Sequence, residues 1–261
     1  MMNFSTIPVG LLVIIVILVT LLFIEMGFRF GKVVYRRKTP ESDTIVTSVS
    51  GYVLGLIAFI LAFTFGIVSG RYDFKKSLVR EEANTVRTVW FRSDFLPDTD
   101  QVATKKLLIE YVDTRLNGMQ SRDELIITKS LLRCEDIHQQ LWQIAVKNGN
   151  QNLNSDVGAL YVESLNELIN IHYTRVIVSL YSRVPMGIWL ILMIMIILGM
   201  TLVGYMTAIG GSRRSWGFII LAFSFALVVG MVYTMDKLYS PFTPISQFAM
   251  EQLLDFMKHN F

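Results

Sequence analysis

Four long apolar runs divide the chain, and none of them contains a charged side chain. They cover residues 7–24, 51–69, 185–211 and 216–234. A helix needs about 20 apolar residues to cross the roughly 30 Å hydrocarbon layer of a bilayer, so each run is long enough for one crossing. The order of the runs predicts two spans, a polar centre of about 115 residues, and two further spans.

The polar centre continues the helical periodicity of the second run. No glycine or proline interrupts the chain between Gly70 and Pro97, although the stretch 71–92 is highly charged. At about 100° per residue, apolar positions from the run and from this stretch fall in one stripe. The stripe consists of Leu61, Phe65, Val68, Tyr72, Val79, Ala83, Val86 and Trp90. We therefore predict one helix from about residue 51 to 95, which leaves the membrane without changing its packing face and ends before Pro97.

Capping and breaking residues predict three more helices in the centre. Asp98 or Thr99 is expected to cap the first, which ends at the Asn117–Gly118 turn. The sequence KNGN at 147–150 is expected to end the second, and Ser155 to cap the third. No strand-like alternation of any length is present, so the centre is predicted to be helical throughout.

Several apolar side chains of the second of these helices are expected in its core. They include Leu125, Leu132, Leu141 and Trp142. The single cysteine, Cys134, excludes an internal disulfide and is expected to be a small core residue.

The predicted fold class is an all-α membrane protein, with four transmembrane helices and a helical extramembrane domain inserted between the second and third. Residues 1–70 hold the first two spans, with the first run a retained anchor. Residues 71–183 form the helical domain, 184–235 hold the last two spans, and 236–261 form a C-terminal tail with a short amphipathic helix.

The distribution of basic residues gives the orientation. The loops on one side of the spans contain Arg29, Lys32, Arg36, Arg37, Lys38, Arg213 and Arg214. By the positive-inside rule this side is cytoplasmic, which places both termini and the helical domain outside the cytoplasm. Basic residues flanking the second span on the other side reduce this bias: Arg71, Lys75, Lys76 and Arg80.

Composition and motifs argue against an enzyme. A net charge of +3 is too small to indicate a nucleic-acid partner, and no nucleophile elbow, P-loop or dinucleotide-binding glycine pattern occurs. Glu135 and His138 form only half of a di-iron helix motif; Glu163 and Glu167 share a face, but His172 lies off it. We predict no catalytic residue, metal or cofactor, and interpret His138 as a half-buried histidine with its hydrogen bonds satisfied.

The second span has two patterned faces. Small residues recur every three or four positions, and Gly55, Ala62 and Gly66 are the ones we assign to helix packing. An apolar ridge runs beside them through Phe59 and Phe63 to Ile67. One interpretation is ordinary packing. The other is that copies of this span surround an axis, where Phe59, Phe63 and Ile67 form a pore constriction that closes by dewetting.

Polar residues extend the direction of this ridge beyond the membrane. They are Ser77, Glu81, Asn84, Thr88 and Arg92. A ring of such side chains from several copies would form a pore vestibule whose charges select ions. The alternative is a solvated face with local ion pairs.

The sequence resembles a known family at several places. The small-rich second span runs into SGRYDFKKSLVREEANTVRTVWFRSDFLP at 69–97; YVDTRL follows at 111–116, and SPFTPIS lies at 240–246. This order is similar to the bestrophin-like membrane proteins of bacteria, thought to be distant relatives of bestrophin anion channels. The resemblance is most specific at residues 81–84 with Trp90, Arg92 and Leu96–Pro97.

The resemblance implies a homopentamer whose second span lines a pore with an apolar neck, to which Phe59, Phe63 and Ile67 would correspond. Two departures stand out. Bestrophins hold their helical domain in the cytoplasm, whereas the basic loops here favour the reverse, and no acidic cluster resembles the calcium clasp of animal bestrophins.

The sequence thus predicts a homo-oligomeric, pentameric ion channel in the bacterial inner membrane. Its expected partners are the lipid bilayer, further copies of itself and inorganic ions, with no nucleic acid. The alternative is a non-conducting membrane scaffold or sensor whose helical domain binds another protein.

Overall fold

Helices form every regular element in the part of the chain that the structure describes. A computed structural model describes residues 7–36, 43–121, 123–151, 155–211, 216–237 and 242–261, without the side chains of 36 and 43–47. The helices are α1 (Val9–Arg36), α2 (Asp43–Arg92), α3 (Asp98–Gln120), α4 (Glu124–Gln151), α5 (Asp156–Tyr181), α6 (Met186–Ile209), α7 (Gly217–Asp236) and α8 (Phe248–His259). The all-α prediction is confirmed for these residues. Arg37, Lys38, Arg213 and Arg214 of the basic loops lie outside them.

Four candidate membrane spans are present among the described residues. They are Val9–Tyr35, Ser48–Phe95, Asp156–Ile209 and Gly217–Asp236. The predicted set of four apolar spans is therefore confirmed. The second and third are much longer than one crossing requires, because α2 and the α5–α6 segment continue past their apolar runs.

The long helix predicted from the second run is present as α2. It begins at Asp43, before the predicted residue 51, and ends at Arg92, where a short 3-10 helix, Ser93–Phe95, leads to Pro97. The apolar stripe explains its continuity, because Leu61, Val68 and the later stripe members Val79, Ala83, Val86 and Trp90 are all buried.

The chain divides into two compact units. The first contains Met1–Tyr72 and Arg183–Thr243, and the second contains Asp73–Ser182 and Pro244–Phe261. Helix α8 therefore belongs to the second unit, where Met250, Leu253 and Met257 contribute to the core.

Glycines set the helix packing of the first unit. A Cβ atom added at Gly27 would lie 1.9 Å from the carbonyl oxygen of Thr201, and one added at Gly204 would lie 1.9 Å from that of Ile24. Neither position can carry a side chain while α1 and α6 keep this backbone contact. Gly199 similarly accommodates the side chain of Ile57.

Of the two predicted helix ends, the first is wrong, because Asn117–Gly118 lies inside α3, which continues to Gln120. The second agrees with the structure to within one residue, because α4 ends at Gln151, directly after residues 147–150. Helical geometry persists at Gly118 because Ser130 of α4 packs against it, 2.7 Å from the position of an added Cβ atom. At the second site the Asn148 amide donates to Asp100 at 2.9 Å, which ties the end of α4 to α3.

The predicted caps and core positions have mixed outcomes. Ser155 caps α5 by accepting a hydrogen bond from the Gly158 amide at 3.0 Å, as predicted. The N-cap of α3 is Pro97, not Asp98 or Thr99. Leu141 and Cys134 are fully buried. Leu125 is 61% exposed, Leu132 is 60% exposed and Trp142 is 38% exposed, so their assignment to the core is wrong.

Candidate functional site

The part of α2 in the first unit has one buried and one open face. Ile57, Leu61, Thr64 and Val68 are buried, at spacings of three or four residues. The predicted constriction residues turn away from this face: Phe59 is 69% exposed, Phe63 is 63% exposed and Ile67 is partly buried. The described part of the chain therefore leaves Phe59 and Phe63 of the apolar ridge largely uncovered.

The three small residues assigned to helix packing, Gly55, Ala62 and Gly66, are also exposed. A Cβ atom added at Gly55 or Gly66 would meet no atom within 4 Å, unlike one added at Gly204. Within the described part of the chain, no helix packs closely on this small-residue face.

The predicted vestibule residues differ in how free their side chains are. Glu81 and Asn84 are exposed. The hydroxyl groups of Ser77 and Thr88 donate to carbonyl oxygens of their own helix, at 2.8 and 3.0 Å. Arg92 donates to the Leu160 carbonyl oxygen of α5 at 2.5 Å, so its guanidinium is held against α5.

A buried ion cluster lies next to these residues, on the opposite side of α2. Glu82 is 0% exposed, and Arg115 of α3 pairs with both of its oxygens, at 2.8 Å from Nε and 3.1 Å from Nη2. Arg175 of α5 and the Tyr111 hydroxyl of α3 also donate to this carboxylate. We call Glu82, Tyr111, Arg115, His172 and Arg175 the Glu82 cluster.

The Glu82 cluster also binds the C-terminal segment. Arg175 donates through Nη2 to the side-chain oxygen of Gln247, the N-cap of α8, at 2.6 Å. Tyr111 lies 2.9 Å from Nδ1 of His172 on α5. One carboxylate thereby organises residues from α2, α3, α5 and the start of α8.

The electrostatic balance of the cluster favours an ionised glutamate. Burial alone raises the pKa of Glu82, but the guanidinium groups of Arg115 and Arg175 outweigh it and hold the pKa well below its usual range. Because an arginine does not deprotonate in proteins, two positive charges surround one negative charge in the interior.

His138 of α4 lies beside the cluster without a hydrogen bond. Its ring stacks edge-on against His172 at 4.8 Å between centroids and lies 5.1 Å from Tyr111. Neither ring nitrogen has a partner among the described residues, so the predicted satisfied, half-buried histidine is wrong. Burial, and then the neighbouring His172, lower the pKa of His138 to about 3, so the ring is neutral at physiological pH. The adjacent Cys134 is buried too, which raises the pKa of its thiol to about 12.

Comparison with known proteins identifies the family. The family model for the Bestrophin-like domain matches residues 14–247, nearly the whole chain. The chain belongs to the bestrophin-like family. No curated protein and no solved structure matches it. This bestrophin-like chain has apolar helices typical of a multi-pass membrane protein, and its family is not an enzyme family.

Glu82 is the residue of this bestrophin-like chain that sequence reasoning missed. Our prediction singled out the stretch 81–84 and assigned Glu81, the exposed neighbour, to a site. Glu82 lies three residues after Val79 and four before Val86, within the buried stripe. A carboxylate in an apolar stripe is the signal that could have found the cluster, because buried charges require partners.

Proposed function

We propose that this bestrophin-like chain assembles into a homopentameric ion channel of the bacterial inner membrane, with α2 lining the pore. The observation that supports this most is the open face of α2. Gly55, Ala62 and Gly66 lie uncovered beside the exposed rings of Phe59 and Phe63. Small residues allow close helix approach, so this face suits contact between copies of α2 around an axis.

In the proposed pore, the apolar ridge of Phe59, Phe63 and Ile67 forms the constriction. Rings of Phe59, Phe63 and Ile67 exclude water when the neck is narrow, which stops ions without a charged barrier. Glu81 and Asn84, with Ser77 and Thr88 beside them, line the vestibule. Arg92 contributes least to the vestibule potential, because its guanidinium is engaged by Leu160 and lies 3.6 Å from Glu163.

Gly66→Leu is expected to weaken assembly without unfolding the chain. A Cβ atom added at Gly66 meets no described atom within 4 Å, whereas a leucine there overpacks a contact between copies by about 1–3 kcal/mol. Subunit number is measured by native mass spectrometry or light scattering in detergent. Gly204→Leu is the matched control, and is expected to disrupt the α1–α6 contact and the fold. A Gly66→Leu protein with wild-type helicity and an unchanged oligomer would contradict α2 packing between subunits.

Phe63→Ala is expected to increase ion flux several-fold in reconstituted vesicles, because it removes one of the two phenylalanine rings that each copy contributes to the neck and admits water. Phe223→Ala on α7 is the matched control, since it removes another ring that is more than half exposed from a different span. Flux is measured across salts, pH values and voltages. Equal flux in wild type and Phe63→Ala would mean that Phe63 only packs.

A non-conducting scaffold or sensor is the second candidate function. It is favoured by large apolar side chains left exposed in the second unit, including Leu125, Leu132 and Trp142. Such side chains are typical of protein contacts. A purified oligomer that passes no ions under any tested condition would favour this function over the channel.

A further inference from the structure

The first unit contains a small cavity where the start of α6 meets the end of α7. Its volume is about 80 Å³, and residues between 183 and 189 and between 233 and 237 line it. These residues lie at the ends of the apolar runs 185–211 and 216–234, which places the cavity where two spans meet water. A water molecule occupies about 30 Å³ in the liquid, so the cavity has room for a small polar group such as a phosphate.

Two cationic side chains line the cavity. Lys237 donates to the carbonyl oxygen of Ile7, and its ammonium lies 4.9 Å from the ring centroid of Tyr233, so its position is fixed. Arg183 makes no hydrogen bond or ion pair with any other residue that the structure describes. The N–H donors of its guanidinium are therefore available to a ligand.

One carboxylate limits the charge of that ligand. Asp236 also lines the cavity and accepts a hydrogen bond from the Val184 amide at 3.0 Å, which joins the end of α7 to the start of α6. Two cations and one carboxylate leave the lining with one net positive charge. A phosphodiester carries one negative charge and neutralises the lining, whereas a phosphomonoester, with about two negative charges, would be repelled by Asp236.

Apolar surface continues from the cavity into the membrane. Trp189 and Tyr233 are buried and pack edge-on, with 6.1 Å between their ring centroids. Met186 lines the cavity, and Leu190 and Ile194 follow it on α6 at intervals of four residues. All three side chains are exposed, and residues four apart share one helix face. A ligand with an acyl chain covers this stripe, whereas a free phosphate leaves it uncovered.

We propose that this cavity binds the phosphodiester of an anionic glycerophospholipid with an uncharged headgroup, such as phosphatidylglycerol. Arg183 donates to the non-bridging oxygens, and Lys237 adds its charge. One acyl chain lies along Met186, Leu190 and Ile194. Basic pockets between membrane helices recognise lipid headgroups in this way. The site lies within the first unit and does not depend on ion conduction.

Native mass spectrometry of the full chain in uncharged detergent tests this proposal. The probes are phosphatidylglycerol and phosphatidylcholine with identical acyl chains. We expect one phosphatidylglycerol per subunit to bind about tenfold more tightly than phosphatidylcholine, which has no net charge. Arg183→Gln is expected to weaken phosphatidylglycerol binding about tenfold, because hydrogen bonds between charged groups are lost. Arg183→Lys keeps the charge and is expected to weaken binding less.

Inorganic phosphate distinguishes a lipid site from a site for free phosphate. Added at millimolar concentration, with ionic strength matched by chloride, it is expected to leave the bound phosphatidylglycerol in place. The reason is that it cannot cover the apolar stripe of α6. Displacement of the lipid by inorganic phosphate would overturn the assignment to a phospholipid.

Lys258→Gln is the matched control, since it removes one positive charge at an exposed position of α8, in the second unit and outside this lining. Its phosphatidylglycerol affinity is expected to equal that of the wild type. Equal affinities for the two lipids, wild-type affinity in Arg183→Gln, or an equal loss in Lys258→Gln would overturn the proposal. Circular dichroism verifies that each variant is folded, and Arg183→Ala replaces Arg183→Gln if the latter misfolds.

Discussion

Glu82→Gln is expected to destabilise the second unit by about 3–5 kcal/mol. The glutamine keeps nearly the same shape but removes the only negative charge that Arg115 and Arg175 share within the Glu82 cluster. Both guanidinium groups would remain charged, buried and without an anion. That cost far exceeds the loss of one ordinary hydrogen bond, which is about 1 kcal/mol.

The thiol of Cys134 can report how often the second unit opens. Cys134 is the single cysteine, and it is fully buried in the second unit. Its reaction rate with a thiol reagent at increasing urea concentration measures opening of that unit, because a buried thiol reacts only when the surrounding structure opens. We expect Glu82→Gln to label much faster than the wild type at every urea concentration.

Glu81→Gln is the natural control. It makes the same chemical change one residue earlier on α2, but Glu81 is exposed, so its effect on stability is expected within about 0.5 kcal/mol. Equal labelling rates for the two variants would show that the Glu82 cluster is not what holds α2, α3 and α5 together.

The sequence predicts the helices of this protein better than their ends. A charge-free run must be helical to satisfy its backbone in lipid, and the apolar phase of α2 continues because the same face is buried on both sides of Tyr72. Asn117–Gly118 gave a wrong helix end because the preference of an Asn–Gly pair for turns is local and weak. At Gly118 the close approach of Ser130 favours a continuous helix, and tertiary packing overrides propensity.

The candidate site was likewise only partly predictable from the sequence. The exposed ridge of Phe59 and Phe63 follows directly from helical spacing, so the sequence could predict which residues share that face. The Glu82 cluster could not be assembled in this way, because its members come from separate helices. Periodicity alone also predicts that a glutamate is exposed to solvent. Glu82 can be buried here because the arginine partners of α3 and α5 pair with it.

Acid is expected to destabilise the second unit below about pH 6.5, through His138. In the unfolded chain its imidazole has a pKa near 6.5, whereas in the folded unit burial lowers the pKa to about 3. Between these values the unfolded state binds more protons, so the free energy of unfolding decreases as the pH falls. The loss reaches about 3 kcal/mol at pH 4.5. Burial also lowers the pKa of His172, which adds a loss of the same sign.

Titration of Glu82 does not obscure the effect of the two histidines on stability. The pKa of Glu82 is lowered in the folded unit, so its contribution to stability is present above about pH 4.5 and is lost only at lower pH. The window from pH 4.5 to 6.5 therefore reports on the histidines. His138→Phe keeps a ring against Tyr111 and His172 but cannot bind a proton, so it is expected to lose less stability than the wild type across this window.

The measurement is the urea dependence of Cys134 labelling at pH values from 4.5 to 7.5, corrected for the intrinsic reactivity of the thiolate. His259→Phe is the control, since His259 is exposed on α8 and its removal should leave the wild-type pH dependence unchanged. If wild type and His138→Phe lost stability in parallel, proton binding at His138 would not be the cause. A smaller loss in His138→Phe alone would identify the buried imidazole as the acid-sensitive group, because the variant changes this titrating group and leaves the Glu82 cluster in place.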